Sequence, residues 1–241
     1  MGSAPKARRA GATRRVSSGD IVARMTAAIL QHRLAPGTKL TEEALADVFG
    51  ISRTKVRQAL VELAANRLVT LYRGRGAFVS RPSVRESREL FASRRVIEGA
   101  LIKEFVAVAS AKDIAFLRRH LASEQKAIRA QNLNLATRLL GDFHIAIAER
   151  AGNQVLAEIL RDLVSRTSLV ILLYGRNDGL SCSIEEHESL LDAIARRDAA
   201  AAASLMRRHL THVESELVLK DRIVQTPNIR SVLASVNRDM S

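Results

Sequence analysis

The chain has 241 residues, 47% of them hydrophobic, which suits one large domain or two modest ones and excludes global disorder. Aromatics are only 3% and Trp is absent, so Ala and Leu fill the core, which favours helices over sheets. The lone Cys182 excludes an intrachain disulfide and suits a reducing cytoplasm, and no apolar run reaches the ~18 residues of a membrane span.

The net charge of +13 is unevenly placed. Residues 1–85 hold 16 Lys and Arg against 5 Asp and Glu, a net of +11; residues 86–241 hold 22 against 20, a net of +2. The first third is therefore a cationic module suited to a polyanion. A membrane surface is the competing partner, but no strongly amphipathic helix carries the charge, and the basic N-terminus lacks the apolar core of a secretory signal.

In chain order, residues 1–17 read as a flexible basic arm. A first helix is expected from Asp20 to Arg33, with Ile21, Met25, Ala28 and Ile29 at helical spacing, ended by Ala35-Pro36-Gly37. Thr41 caps a second helix, with Glu42 and Glu43 in its first turn. Leu45 to Val61 then reads as helix, turn and helix, with Gly50 permitting the turn and Ser52 capping the next helix. Val56, Ala59, Leu60 and Leu63 give that helix a buried face. Opposite them Thr54, Arg57, Gln58 and Val61 form a stripe at i, i+3, i+4 and i+7. Such a face suits a major groove, since Arg donates two hydrogen bonds to guanine and Gln pairs similarly with adenine. Taken alone, the same stripe is also that of an ordinary amphipathic helix with a solvated face.

Asn66 is the expected left-handed stop of this helix. Residues 68–80 hold two short β-rich runs around Arg73-Gly74-Arg75-Gly76, a hairpin with a basic tip. Arginines there can enter a minor groove or hold phosphates. A helix-turn-helix followed by a basic hairpin is a winged helix, expected over 18–80. Residues 81–85 are a linker. Six helices are expected beyond it, at about 86–109, 111–130, 133–151, 153–174, 184–196 and 198–220, as an effector-binding and dimerisation domain over 86–220. The tail 221–241 carries a short apolar repeat. The fold class is therefore mainly α: an N-terminal winged helix-turn-helix plus a C-terminal all-α antiparallel helical bundle.

Residues 18–80 resemble the N-terminal domain of GntR-type bacterial transcription regulators. The likeness rests on I-L-Q-H-R-L-A-P-G-T-K-L-T-E, L-A-D-V-F-G-I-S-R-T-K-V-R-Q-A-L and G-R-G-A-F-V. Residues 85–220 resemble the FCD effector domain of the FadR subfamily, through R-R-V-I-E, F-H-I-A-I-A-E-R-A-G-N, E-H-E-S-L-L-D-A-I-A-R-R-D and M-R-R-H-L. Six helices rather than seven match the VanR-like subgroup. The resemblance implies that Ser52, Arg53, Thr54 and Arg57 contact operator DNA and that Gly74 reaches the minor groove. Lys55 departs from the family's usual Pro or Thr and is expected to favour phosphate, beside Gln58 and Arg75 as further DNA-binding candidates. It also implies a homodimer on a palindromic site.

His144, His187 and His209 are candidate ligands, since neutral imidazole binds zinc and similar metals. In the resemblance these three match metal-ligand histidines, while the family's fourth ligand, an Asp one turn before the first, is replaced by Leu140. Asp142 lies about 200° around the helix from His144 and is a poor substitute. Two sites stay open: a divalent metal (zinc or nickel-like) on three histidines, or a metal-free pocket whose histidines bind an anionic effector. Arg94 matches a family arginine near the pocket and is a candidate carboxylate clamp; it can also pair with Glu98, one turn on. His120 and His212 are assigned to surface or helix packing, and Cys182 to the pocket's border or to passive filling.

The expected function is a cytoplasmic, ligand-responsive transcription regulator, a repressor, controlled by a small organic acid. Two alternatives are a metal-dependent hydrolase on the three histidines and a non-specific nucleic-acid-binding protein. The hydrolase lacks an H-E-x-x-H general base and a nucleophile elbow.

Overall fold

The computed structural model describes residues 17–31, 33–175 and 180–220. The expected basic arm before Ser17, the apolar repeat of the tail and the side chain of Cys182 lie outside the described residues. Helix α1 spans Ser18–Leu30 and starts earlier than expected because Ser17 and Asp20 close a capping box, each side chain bonding the other's backbone. Strand β1 (Lys39–Leu40) follows, too short to leave a period-2 signal in sequence. Helix α2 (Glu42–Phe49) is capped by Thr41 and closed by Gly50 at φ 63°. Helix α3 (Arg53–Ala65) is capped by Ser52.

The left-handed stop of α3 falls on Arg67 (φ 55°) and not on Asn66, which corrects the expectation. The cause is the closing hydrogen-bond pair: Leu68 N–H donates to the Leu63 carbonyl and Arg67 N–H to that of Ala64, both at 3.0 Å. That pattern requires the positive φ one residue later and draws Leu68 into the core. Strands β2 (Val69–Tyr72) and β3 (Gly76–Val79) form the hairpin, and β1 pairs antiparallel on the other edge of β3. Val69 opposes Val79 and Tyr72 opposes Gly76, which leaves Arg73, Gly74 and Arg75 at the tip. Ile21, Met25, Leu45, Val56, Leu60, Leu63 and Val79 make one core between the three helices and the sheet.

Six helices follow among the described residues: α4 (Val84–Val108), α5 (Ala111–Arg129), α6 (Leu133–Arg150), α7 (Gln154–Tyr174), α8 (Leu180–Ala195) and α9 (Ala199–Ser215). Helix α8 begins four residues before the expected 184, since no Gly or Pro interrupts 180–184. Helix α9 stops before the expected 220, where the Val218 N–H turns to the Tyr174 carbonyl at 2.8 Å. The helices pack α4 on α9, α9 on α8, α8 on α5, α5 on α6 and α6 on α4, with α7 against α4 and α6. Phe105, Phe143, Leu160, Ile194, Met206 and Leu210 fill the space they enclose. None of the described helices is long and apolar enough to cross a membrane.

Helix α7 joins the two halves. Leu169 is buried in the core of the winged helix, and the Tyr174 hydroxyl donates to the Pro82 carbonyl at 3.0 Å. The neighbouring residues Val164, Thr167, Ser168 and Ile171 of the same helix line a cavity in the helical half.

Candidate functional site

The first site is the exposed face of α3. Thr54, Arg57, Gln58 and Val61 are exposed, while Val56, Ala59, Leu60 and Leu63 are buried, as the helical spacing requires. Ser52 and Arg53 are exposed at its N-terminus and Lys55 is half-buried. Arg57 donates from Nε to Glu42 Oε1 at 2.9 Å and from Nη2 to Glu42 Oε2 at 2.8 Å. The arginine beside it holds the Glu42 carboxyl below its ordinary range. At the hairpin tip Gly74 takes φ 73°, which L side chains rarely adopt. The Arg75 guanidinium lies over the Tyr72 ring, 5.5 Å from its centroid.

The second site lies inside the helical half. Arg94 and Glu98 come from α4, Glu124 from α5, His144 from α6, Glu186 and His187 from α8, and His209 from α9. His209 Nε2 is 3.3 Å from both His187 Nε2 and His144 Nε2, and all three rings are buried. The outer nitrogens face carboxylates: His144 Nδ1 is 2.6 Å from Glu98 Oε2, His187 Nδ1 is 3.1 Å from Glu124 Oε2, and His209 Nδ1 is 2.7 Å from Glu186 Oε2. Phe143 stacks on His187 with centroids 4.1 Å apart.

Each carboxylate also reaches an outer cation or histidine. Arg94 Nε donates to Glu98 Oε1 at 2.6 Å, His120 Nε2 lies 3.3 Å from Glu124 Oε1, and His212 Nδ1 is 2.8 Å from Glu186 Oε1. His120 and His212 thus belong to the ring around the site and are not mere surface or packing residues. His187, expected at a helix start, sits inside α8.

Burial opposes the ionised form of Glu98, yet Arg94 and His144 beside it hold its carboxyl down to about 2. Burial pushes His144 below its ordinary value and His209 down to about 3. Each Nδ1 faces a carboxylate, and the three Nε2 atoms turn toward one another. The histidine–carboxylate pairing is that of metal sites. The two Nε2 separations from His209, 3.3 Å each, match those of ligands on a tetrahedral zinc with bonds of about 2.05 Å, and the three ligand atoms all lie within 4.8 Å of one another. The three histidines can therefore hold a metal ion.

The histidine cluster borders a cavity of about 80 Å3. His144, His209, His212 and Arg94 line it together with Thr137, Leu140, Thr167, Ser168, Val213 and Leu217. Arg94 Nη2 is buried without a hydrogen-bond partner. Leu140 stands on the wall, and Asp142 turns away to lie 3.6 Å from Arg138 Nε.

Two family models match the chain: bacterial regulatory proteins of the gntR family over residues 17–79, and the FCD domain over residues 89–212. The chain belongs to the GntR family. This GntR regulator is 32% identical over 222 residues to the Uxu operon regulator of Haemophilus influenzae, covering 83% of the chain and 81% of that protein. It is 28% identical to the transcriptional regulator LutR of Bacillus subtilis, covering 76% and 93%. It is 24% identical to the transcriptional repressor RspR of Escherichia coli, covering 76% and 81%. Its fold matches a GntR transcriptional regulator from Rhodococcus sp. RHA1 with a TM-score of 0.77, at 23% identity, covering 85% of the chain and 99% of that structure. It is a ligand-responsive DNA-binding transcription regulator and not an enzyme.

Of the expected site residues, the GntR regulator brings Arg94, His144 and His209 to one cavity, with His187 directly behind them. Thr54, Arg57 and Gln58 share the exposed face of α3, Ser52, Arg53 and Lys55 sit at its N-terminal end, and Gly74 and Arg75 share the hairpin tip. Sequence reasoning does not single out Glu124 and Glu186 as partners of the histidines. The i, i+4 spacing of His120 and Glu124 is the available signal.

Proposed function

We propose that this GntR regulator is a homodimeric cytoplasmic repressor of the VanR-like subgroup, released from a palindromic operator by a small organic acid. Residues 18–80 read the DNA: Ser52, Arg53, Thr54, Lys55, Arg57 and Gln58 in the major groove, Gly74 and Arg75 at the minor groove. Residues 86–220 bind the effector and dimerise. The name of the relative RspR supports repression, and the six helices α4–α9 support the subgroup. The dimer is supported by the apolar side chains of Val108 on α4 and Val155 on α7, both exposed and lining one surface groove. A two-fold dimer presents two recognition helices to two half-sites, hence the palindrome.

The observation that carries the effector reading is the unpartnered, buried Nη2 of Arg94, a residue that lines the cavity together with His144 and His209. Arg94 binds and orients a carboxylate. The Thr137, Thr167 and Ser168 hydroxyls donate to carbonyls one turn back in their own helices and accept from polar substituents, and Leu140, Val164 and Ile171 take an apolar one. His144, His187 and His209 would hold a zinc or nickel-like divalent metal, which supplies a Lewis-acid anchor for the same carboxylate. Leu140 leaves the family's fourth ligand position to an exogenous oxygen.

The test uses a duplex selected from a random pool, with a panel of small organic acids titrated against wild type and R94Q. We expect at least one acid to weaken wild-type DNA binding, and R94Q to need about tenfold more of it. DNA binding indifferent to every acid in the panel contradicts the reading.

A further inference from the structure

Glu42 and Arg57 form a side-on clamp on the surface of the helix-turn-helix. Glu42 opens α2 and Arg57 lies one turn into α3, so the pair spans the helix-turn-helix. Both donors on one edge of the guanidinium are used, Nε at 2.9 Å and Nη2 at 2.8 Å, each on a separate carboxylate oxygen. The arginine side chain is 68% exposed and the glutamate 34%.

A guanidinium has five N–H groups on a rigid plane. The clamp occupies the edge formed by Nε–H and one Nη2–H. The end-on edge, the other Nη2–H with Nη1–H, points away from the carboxylate. That edge is itself a two-donor fork that matches O6 and N7 of guanine. An exposed arginine ordinarily loses its rotamer freedom when it meets a base. Here the carboxylate holds the plane in place beforehand and selects which edge is offered.

We propose that Glu42 is a specificity-determining positioning residue: it buttresses Arg57 so that its end-on edge reads one guanine per half-site. The proposal rests on α3 being the recognition helix. Glu42 adds negative charge close to the phosphates, so it costs non-specific affinity while sharpening the choice of base. A carboxylate acting only as a competitor for Arg57 would have the opposite signature, with its removal tightening binding and keeping the base preference.

The experiment is selection from a random-sequence duplex pool by the full chain, as wild type, R57A, E42Q and E42A, with sequencing of the bound fraction. Thermal unfolding of each variant checks its fold. The glutamine side chain of E42Q is isosteric with glutamate, accepts one of the two hydrogen bonds and cannot accept the other. We expect R57A to erase a guanine preference at one position of each half-site. E42Q and E42A should flatten the same position by about tenfold, leave the other positions unchanged and keep or raise affinity for non-specific duplex. R57A flattening a position that both Glu42 variants leave intact overturns the buttress alone. R57A leaving every preference intact overturns the recognition-helix assignment and the buttress with it.

Discussion

Arg94 Nε donates to Glu98 Oε1 at 2.6 Å, one turn along α4, with both side chains buried. Breaking a buried pair by removing one partner leaves the other charge uncompensated, at about 3–5 kcal/mol. R94A is therefore expected to lose stability on that scale in urea unfolding, and R94K less, because it keeps the charge. A loss within experimental scatter for R94A would show that Glu98 is already satisfied by His144.

The histidine cluster makes a metal-dependent stability prediction. A ligand that binds only the folded state at 100 times its Kd stabilises by about 2.7 kcal/mol. Zinc or nickel added after chelation should raise the melting temperature of wild type. H209N should abolish that rise, since it removes the Nε2 that lies 3.3 Å from both neighbours. An equal rise in the variant would place the ion elsewhere.

Leu169 is where the helical half grips the winged helix, buried in that core beside Ile21 and Met25. L169A is expected to cost about 2–5 kcal/mol, as large-to-small core changes do. It should also blunt the response of DNA binding to the effector, because α7 carries both Leu169 and the cavity wall. DNA binding that answers the acid as fully in L169A as in wild type contradicts this route.

Much of this was legible in the residues themselves. The stripe Thr54, Arg57, Gln58 and Val61 and its buried counterface follow from the helical period, and Gly74 at the hairpin tip follows from the Arg73-Gly74-Arg75-Gly76 run between two β-rich stretches. The stop of α3 did not, because a Schellman closure at Arg67 overrides the intrinsic preference of Asn66 for the left-handed region. Strand β1 escaped because two residues show no alternation. The carboxylates behind His187 and His209 escaped for a different reason. Glu124 sits on α5 while His187 sits on α8, and only the packing of α5 on α8 brings them together. The clamp of Arg57 by Glu42 likewise depends on how α2 crosses α3.

Asp113 gives an acid-side prediction away from the histidines. The hydrogen bonds from the Ser110 hydroxyl and backbone N–H hold its carboxyl below the ordinary value of 3.8, against a small opposing effect of burial. A depressed folded-state value contributes stability above the unfolded-state value and loses it as pH falls through the folded one. The contribution is thus intact at neutral pH and fades below about pH 4. Asp113 is largely solvent-screened, so the effect is small. D113N should narrow the gap in stability between pH 6 and pH 3, about where the carboxylate titrates, in urea unfolding. A gap as wide as that of wild type would exclude the capping box as its source.

Sequence-specific DNA binding through the winged helix underlies the function proposed above. Its most direct measurement is the ratio of affinities for a duplex selected from a random pool and for its scrambled counterpart, at about 0.15 M salt. A ratio of about 10^3 or more is expected, as specific regulators show over their own non-specific binding. Equal affinities would leave the +11 module of residues 1–85 as a non-specific polyanion binder and would contradict it.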